Sequence, residues 1–431
     1  MHRGESCGGE ICWMRVGLVA SLAMPETQET VSDSPTPIFD SGTLPPRIRP
    51  IKMSGLLTGF LIGIVPGIVG VALVSVGRQA DDHLVFDLLS FVSVLVLATV
   101  VHEIGHLMAG WVVGFRFSMI QIGPISLRIV HSVLRVRFRT EIAALGYAGM
   151  HVNRLPRLRR RMLIFLVGGA AANLLSVPAT VLLINRSLPK LVNTWVAIPA
   201  FQFAVVSLLL GVVSVMPFPS NTTSDGARIA MLLRSRDRAR RWLSILAMGH
   251  VHDRGTSAKL WKSTWLRAAS SLNDMSRDNF RGNLLAYTSA NGREDAPVAA
   301  HHLEKCLEFA TLLPISVRDV LAQEAAVFAA WFRNDESLAD KWFAQLQKPK
   351  LLPRLTRVRM RVATSCARRD FDSALAGWQE GLAFIDQSTA GTSQKLLKES
   401  WLKWKAEILE RQNTPPTMEG RYTARPSSIT A

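Results

Sequence analysis

Residues 84–106 read LVFDLLSFVSVLVLATVVHEIGH, and they decide both the fold class and the chemistry to look for. From Leu88 to Val101 no side chain is charged. Such a run predicts a helix that crosses a bilayer, which takes about 20 residues. The next five residues, His102-Glu103-Ile104-Gly105-His106, then set three ionisable groups against the apolar run. Ionisable groups within a membrane span are costly and need a compensating partner. Positions i and i+4 of a helix share a face, so both imidazoles reach one metal ion, and Glu103 between them is placed as a general base toward water at that metal. The bland alternative is a pair of hydrogen-bonded helix histidines. The cost of burying three such groups favours the metal.

Outward from this run, three further apolar stretches complete a membrane core. The expected spans are about 53–77, 84–115, 162–185 and 191–217, the last ending near Pro217. The basic residues orient them. Arg47, Arg49 and Lys52 precede the first span, and residues 115–161 carry ten Arg against one acid, Glu141. Arg228, Arg234, Arg236, Arg238, Arg240 and Arg241 follow the fourth. All clusters fall on one side if the number of spans is even and both termini are cytoplasmic, as in a multi-pass protein of the cell membrane. The net charge of +17 is then topological, with the lipid bilayer as surroundings and no cluster left for nucleic acid.

Between spans two and three, residues 116–140 alternate apolar and polar side chains, with turn chemistry at Gly123-Pro124. The period of two predicts a small cytoplasmic β-hairpin or sheet inserted in the helical core. Residues 1–50, rich in Pro, Ser, Thr and Asp from 25 onward, read as a disordered leader, and 414–431 as a disordered tail. Residues 240–413 read as an all-α soluble domain. Within it Ala329 to Asn334, followed by Leu338, Ala339 and Trp342, echoes Ser365 to Asp370, followed by Ala374, Leu375 and Trp378. The offset of about 36 residues resembles a tetratricopeptide array, with a plain helical bundle as the alternative. The four cysteines, Cys7, Cys12, Cys306 and Cys366, form no CxxC pair, so neither a structural zinc site nor a disulfide framework is expected.

Two histidines leave a catalytic metal one protein ligand short. Asp225-Gly226 follows Met216-Pro217-Phe218-Pro219 and brings the first charge after the fourth span, on the side of the membrane where the histidines lie. An aspartate and two histidines fill three tetrahedral positions; a helix-cap aspartate is the alternative. His250-Val251-His252-Asp253 offers a second metal-binding candidate, with a solvated helix end as the favoured reading.

At these residues the chain resembles the site-2-type intramembrane zinc metalloproteases. The likeness covers about residues 85–230 and rests on HEIGH at the end of a span, the Ile122-Gly123-Pro124 segment, Gly169-Ala170-Ala171-Ala172-Asn173, and Asp225-Gly226. The resemblance implies a membrane-embedded metalloprotease core over 53–230 that cleaves membrane-anchored protein substrates. It implies Zn2+ held by His102, His106 and Asp225, with Glu103 as the catalytic base. Asn173 would bind the substrate backbone or the developing oxyanion; an interhelical hydrogen bond is the alternative. The chain departs from the family at Ser214, where an Asn is usual, and in the longer Pro217-to-Asp225 stretch. A different class of function stays open: a non-catalytic, metal-containing membrane scaffold whose helical C-terminal domain binds a cytoplasmic protein partner. A metal transporter fits poorly, since the other spans carry few ionisable groups.

Overall fold

A computed structural model of the protein describes residues 37–47, 84–130, 133–138, 146–187, 194–217, 224–349, 352–387 and 392–414. The expected span over 53–77 and most of the expected tail lie outside them. The chain divides into two compact units, residues 51–239 and residues 240–431, with the segment before residue 51 belonging to the second.

The first unit is built on three long helices, α1 (Leu84–Val112), α2 (Leu158–Ser187) and α3 (Thr194–Val215). All three are long and apolar enough to cross a membrane, with mean hydropathies of 2.0, 1.8 and 2.3. Large apolar side chains face outward along them, including Leu88, Leu97, Leu175 and Leu183. An apolar surface that continuous is stable in lipid rather than in water. α1 packs on both α2 and α3. Val94, Ala98 and Val206 form the centre of the α1–α3 contact, and Ser90 Oγ donates to Gln202 Oε1 across it at 2.7 Å. That bond gives Gln202 the packing role expected of a polar residue within a span.

α1 stops at Val112, and the chain turns through Gly114 into a four-stranded antiparallel sheet. Its strands are β1 (Arg116–Ile122), β2 (Ile125–Val130), β3 (Val133–Phe138) and β4 (Gly146–His151), in the order β3-β2-β1-β4. The first three are the alternating segment of the sequence. β4, GYAGMH, carries no period of two and was not expected. It pairs with β1, opposing Ile122 to Gly146 and Ile120 to Ala148, and packs on α1.

Two arginines at the start of α2 close the ends of other helices. Arg161 Nε donates to the Val113 carbonyl just past α1, at 2.8 Å. Arg159 Nε donates to the Leu232 carbonyl in the last turn of α4 (Asp225–Arg234), also at 2.8 Å. Cations satisfy carbonyls that a helix C-terminus leaves unpaired. The charge around α2 therefore has structural work beyond topology.

The boundary between the units falls within α5 (Arg236–Asp253), and α6 (Ser263–Ser270) comes next in the second unit. Three helix pairs follow: α7 (Arg277–Gly292) with α8 (Ala296–Glu308), α9 (Ile315–Phe332) with α10 (Glu336–Ala344), and α11 (Arg354–Ala367) with α12 (Phe371–Asp386). The last helix is α13 (Thr392–Asn413). Each pair turns the same way. A residue in the left-handed region, Glu294, Asn334 or Arg369, precedes an aspartate, Asp295, Asp335 or Asp370. That aspartate caps the second helix by accepting an amide three residues on. Four residues past each cap stands a fully buried alanine, Ala299, Ala339 or Ala374. The structural register thus pairs Ala339 with Ala374, one residue away from the pairing by a 36-residue offset.

Two expectations are corrected here. Residues 37–47, expected within a disordered leader, form a helical turn, Ile38–Ser41, with Phe39 and Leu44 in the core of the second unit. His250 and His252 are buried rather than solvated, His252 against the Trp261 ring. Cys306 and Cys366 are free and buried.

Candidate metal centre

His102 and His106 stand one turn apart on α1 and face α2 and α4. The His102 Nε2 and His106 Nε2 atoms lie 3.2 Å apart. Asp225 Oδ2 lies 3.3 Å from the first and 3.0 Å from the second. Bonds of about 2.0–2.1 Å at a tetrahedral angle put two ligand atoms about 3.3 Å apart. The three donors therefore already have the spacing of one small divalent ion. Gly169 on α2 keeps the space open: a Cβ there would lie 2.5 and 2.6 Å from the two Nε2 atoms.

Both rings are held from behind. His106 Nδ1 donates to the Phe165 carbonyl of α2 at 2.8 Å, since a carbonyl can only accept. This tautomer leaves the Nε2 lone pair free for a metal. His102 Nδ1 faces the Asn173 amide at 3.4 Å, and Asn173 is fully buried with its Oδ1 unpartnered. Turning the amide over lets that oxygen accept the His102 Nδ1–H.

Asp225 opens α4, and the helix cap is its neighbour: Ser224 Oγ accepts the Ala227 amide at 3.2 Å. Asp225 is thus not the cap aspartate of the alternative reading. Burial works against its charge, but where Nε2 of His102 and His106 carries a proton, their hydrogen bonds outweigh burial and hold the carboxyl at about 2. It is an anionic donor at any physiological pH.

Glu103 is buried beside this group and is not one of the three converging donors. Its carboxylate meets β4, bonding the Ala148 backbone and lying against Gly146. Of the residues singled out from sequence, His102, His106 and Asp225 converge, Glu103 adjoins them, and Asn173 stands behind His102. Ser214 does not join them: its Oγ donates back to the Gly211 carbonyl of its own helix at 3.1 Å. The contributions of Phe165 and Ala148 were missed. Both act through backbone atoms, which leave no residue-type signal.

No protein-family model, no curated protein and no solved structure matches this chain. The functional reading rests on the donor set and its geometry.

Proposed function

We propose that this chain is an intramembrane zinc endopeptidase that hydrolyses a peptide bond in or near the transmembrane segment of a membrane-anchored protein. The observation that carries the reading is Asp225 meeting His102 and His106 across 123 and 119 residues of chain, with Glu103 buried alongside. Three protein donors leave a fourth tetrahedral position free, the pattern of catalytic rather than structural zinc. The membrane core has four spans with both termini cytoplasmic, in the cell membrane, by the distribution of arginines.

When bound, zinc supplies a Lewis acid that polarises the scissile carbonyl and lowers the pKa of water to about 7. The side chains do the rest. Glu103 takes a proton from the attacking water, whose oxygen adds to the carbonyl carbon. Glu103 then gives the proton to the amine as the C–N bond breaks. A helix hides its peptide bonds in internal hydrogen bonds, so the substrate must present an extended stretch. Among the described residues β4 is the edge strand beside Glu103, and a substrate strand added there is brought to the carboxylate.

The test is zinc content and cleavage on detergent-purified protein. Wild type should hold about one zinc per chain by the stoichiometry of a three-ligand site. His102→Ala and Asp225→Ala should lose it. Glu103→Gln should keep the zinc and lose cleavage of a membrane-anchored substrate. Folded wild type without bound metal, or a Glu103→Gln chain that still cleaves, overturns the proposal.

A further inference from the structure

Residues 37–47 are held by the second unit through their backbone. Glu304 on α8 accepts the Ile38 and Phe39 amides, one on each carboxylate oxygen, at 2.6 and 2.8 Å. Trp342 Nε1 on α10 donates to the Phe39 carbonyl at 3.0 Å. Arg318 Nη2 on α9 donates to the Pro45 carbonyl at 2.8 Å, and Gln345 Oε1 accepts the Leu44 amide at 3.4 Å. Every one of these bonds runs from a side chain of the helical unit to the main chain of the segment.

The side chains that matter are few. Phe39 is buried edge-on to Phe328, with ring centroids 5.5 Å apart, and stacked on Trp342 at 6.1 Å. Leu44 is buried five residues on. Arg333 lies over the Phe39 ring and pairs with Asp40. Gly42 sits at φ 65, where a Cβ would come within 2.8 Å of Lys341 Cβ, so only glycine fits without strain.

Main-chain hydrogen bonds for affinity and a few pockets for specificity are how protein surfaces recognise linear peptides. Helices packed within one core instead satisfy their own backbone. The segment is also separated in sequence from the rest of its unit by the whole membrane unit, so its docking is an intramolecular binding event at an effective concentration set by the tether.

We infer that the surface of α8, α9 and α10 is a binding groove for a linear motif of the form Phe-Asp-x-Gly-x-Leu. Residues 39–44 are its resident ligand, and a free peptide of the same sequence takes their place when they are vacated. The inference does not depend on the metal centre.

The experiment uses a fluorescein-labelled peptide spanning residues 37–46 and the full chain in detergent. Phe39→Ala with Leu44→Ala removes both anchors from the resident segment and leaves the groove intact; Gly42→Val is a milder way to vacate it. The peptide should bind both altered chains at least about tenfold more tightly than wild type, where the resident competes. A peptide carrying the Gly42→Val change should bind none of them. Absence of binding to vacated chains that keep wild-type helicity overturns the inference. So does loss of the helical fold in both altered chains, which would mark the segment as core.

Discussion

His102 is oriented from both ends of its ring: Nε2 faces Asp225, and Nδ1 faces the buried Asn173 amide. A residue that fixes the tautomer of a metal ligand typically contributes about 10- to 100-fold to metal affinity. On the proposed function, Asn173→Leu should therefore weaken zinc binding by about that factor, measured by competition with a chromophoric chelator. Unchanged affinity with a fall in kcat would return Asn173 to the substrate-binding role implied by the family resemblance. At this scale much was legible. The i, i+4 histidines declare themselves by helical spacing, and Asp225 by being the first charge after an apolar run. The Phe165 carbonyl was not legible, because any residue type supplies one.

At the scale of elements, three helices from three different pairs meet at one buried carboxylate. Glu324 on α9 is 1% exposed and forms an ion pair with Arg359 of α11 at 2.5 Å. Tyr287 Oη on α7 donates to the same carboxylate at 2.9 Å. Removing one member of a buried pair leaves the other charge uncompensated, at a cost of about 3–5 kcal/mol. Glu324→Ala should lower the stability of the helical unit by roughly the lower end of that range, read from its denaturant midpoint. The recurrence of these pairs was visible in sequence as the echo of Ala329 to Asn334 in Ser365 to Asp370. Its one-residue shift in register was not, because the match of apolar residues tolerates either alignment. β4 escaped notice for a related reason. Its small residues answer to the close approach of α1, and no alternation marks them.

Over the whole molecule, the membrane unit is inserted in sequence within the unit that carries the helix pairs. The helical unit should respond to pH by itself. Burial, then the neighbouring His301 and Arg293, push the His302 imidazole down to about 4. Between that value and the ordinary 6.5 the unfolded chain binds a proton that the folded chain does not. Stability therefore rises with pH through this window and is fully present above it. The melting temperature should fall by a few degrees between pH 7 and pH 5, and His302→Gln should remove much of that fall; an unaltered fall would place the effect elsewhere. The sequence by itself determined the membrane class of the first unit, the helical class of the second, and the HExxH pair. Each of these follows from local periodicity and the cost of charge in lipid. Tertiary structure alone decided that Asp225 reaches the two histidines, that β4 runs beside Glu103, and that residues 37–47 dock on α8, α9 and α10. Those contacts join residues far apart in the chain, and long-range packing leaves no period in the sequence to read.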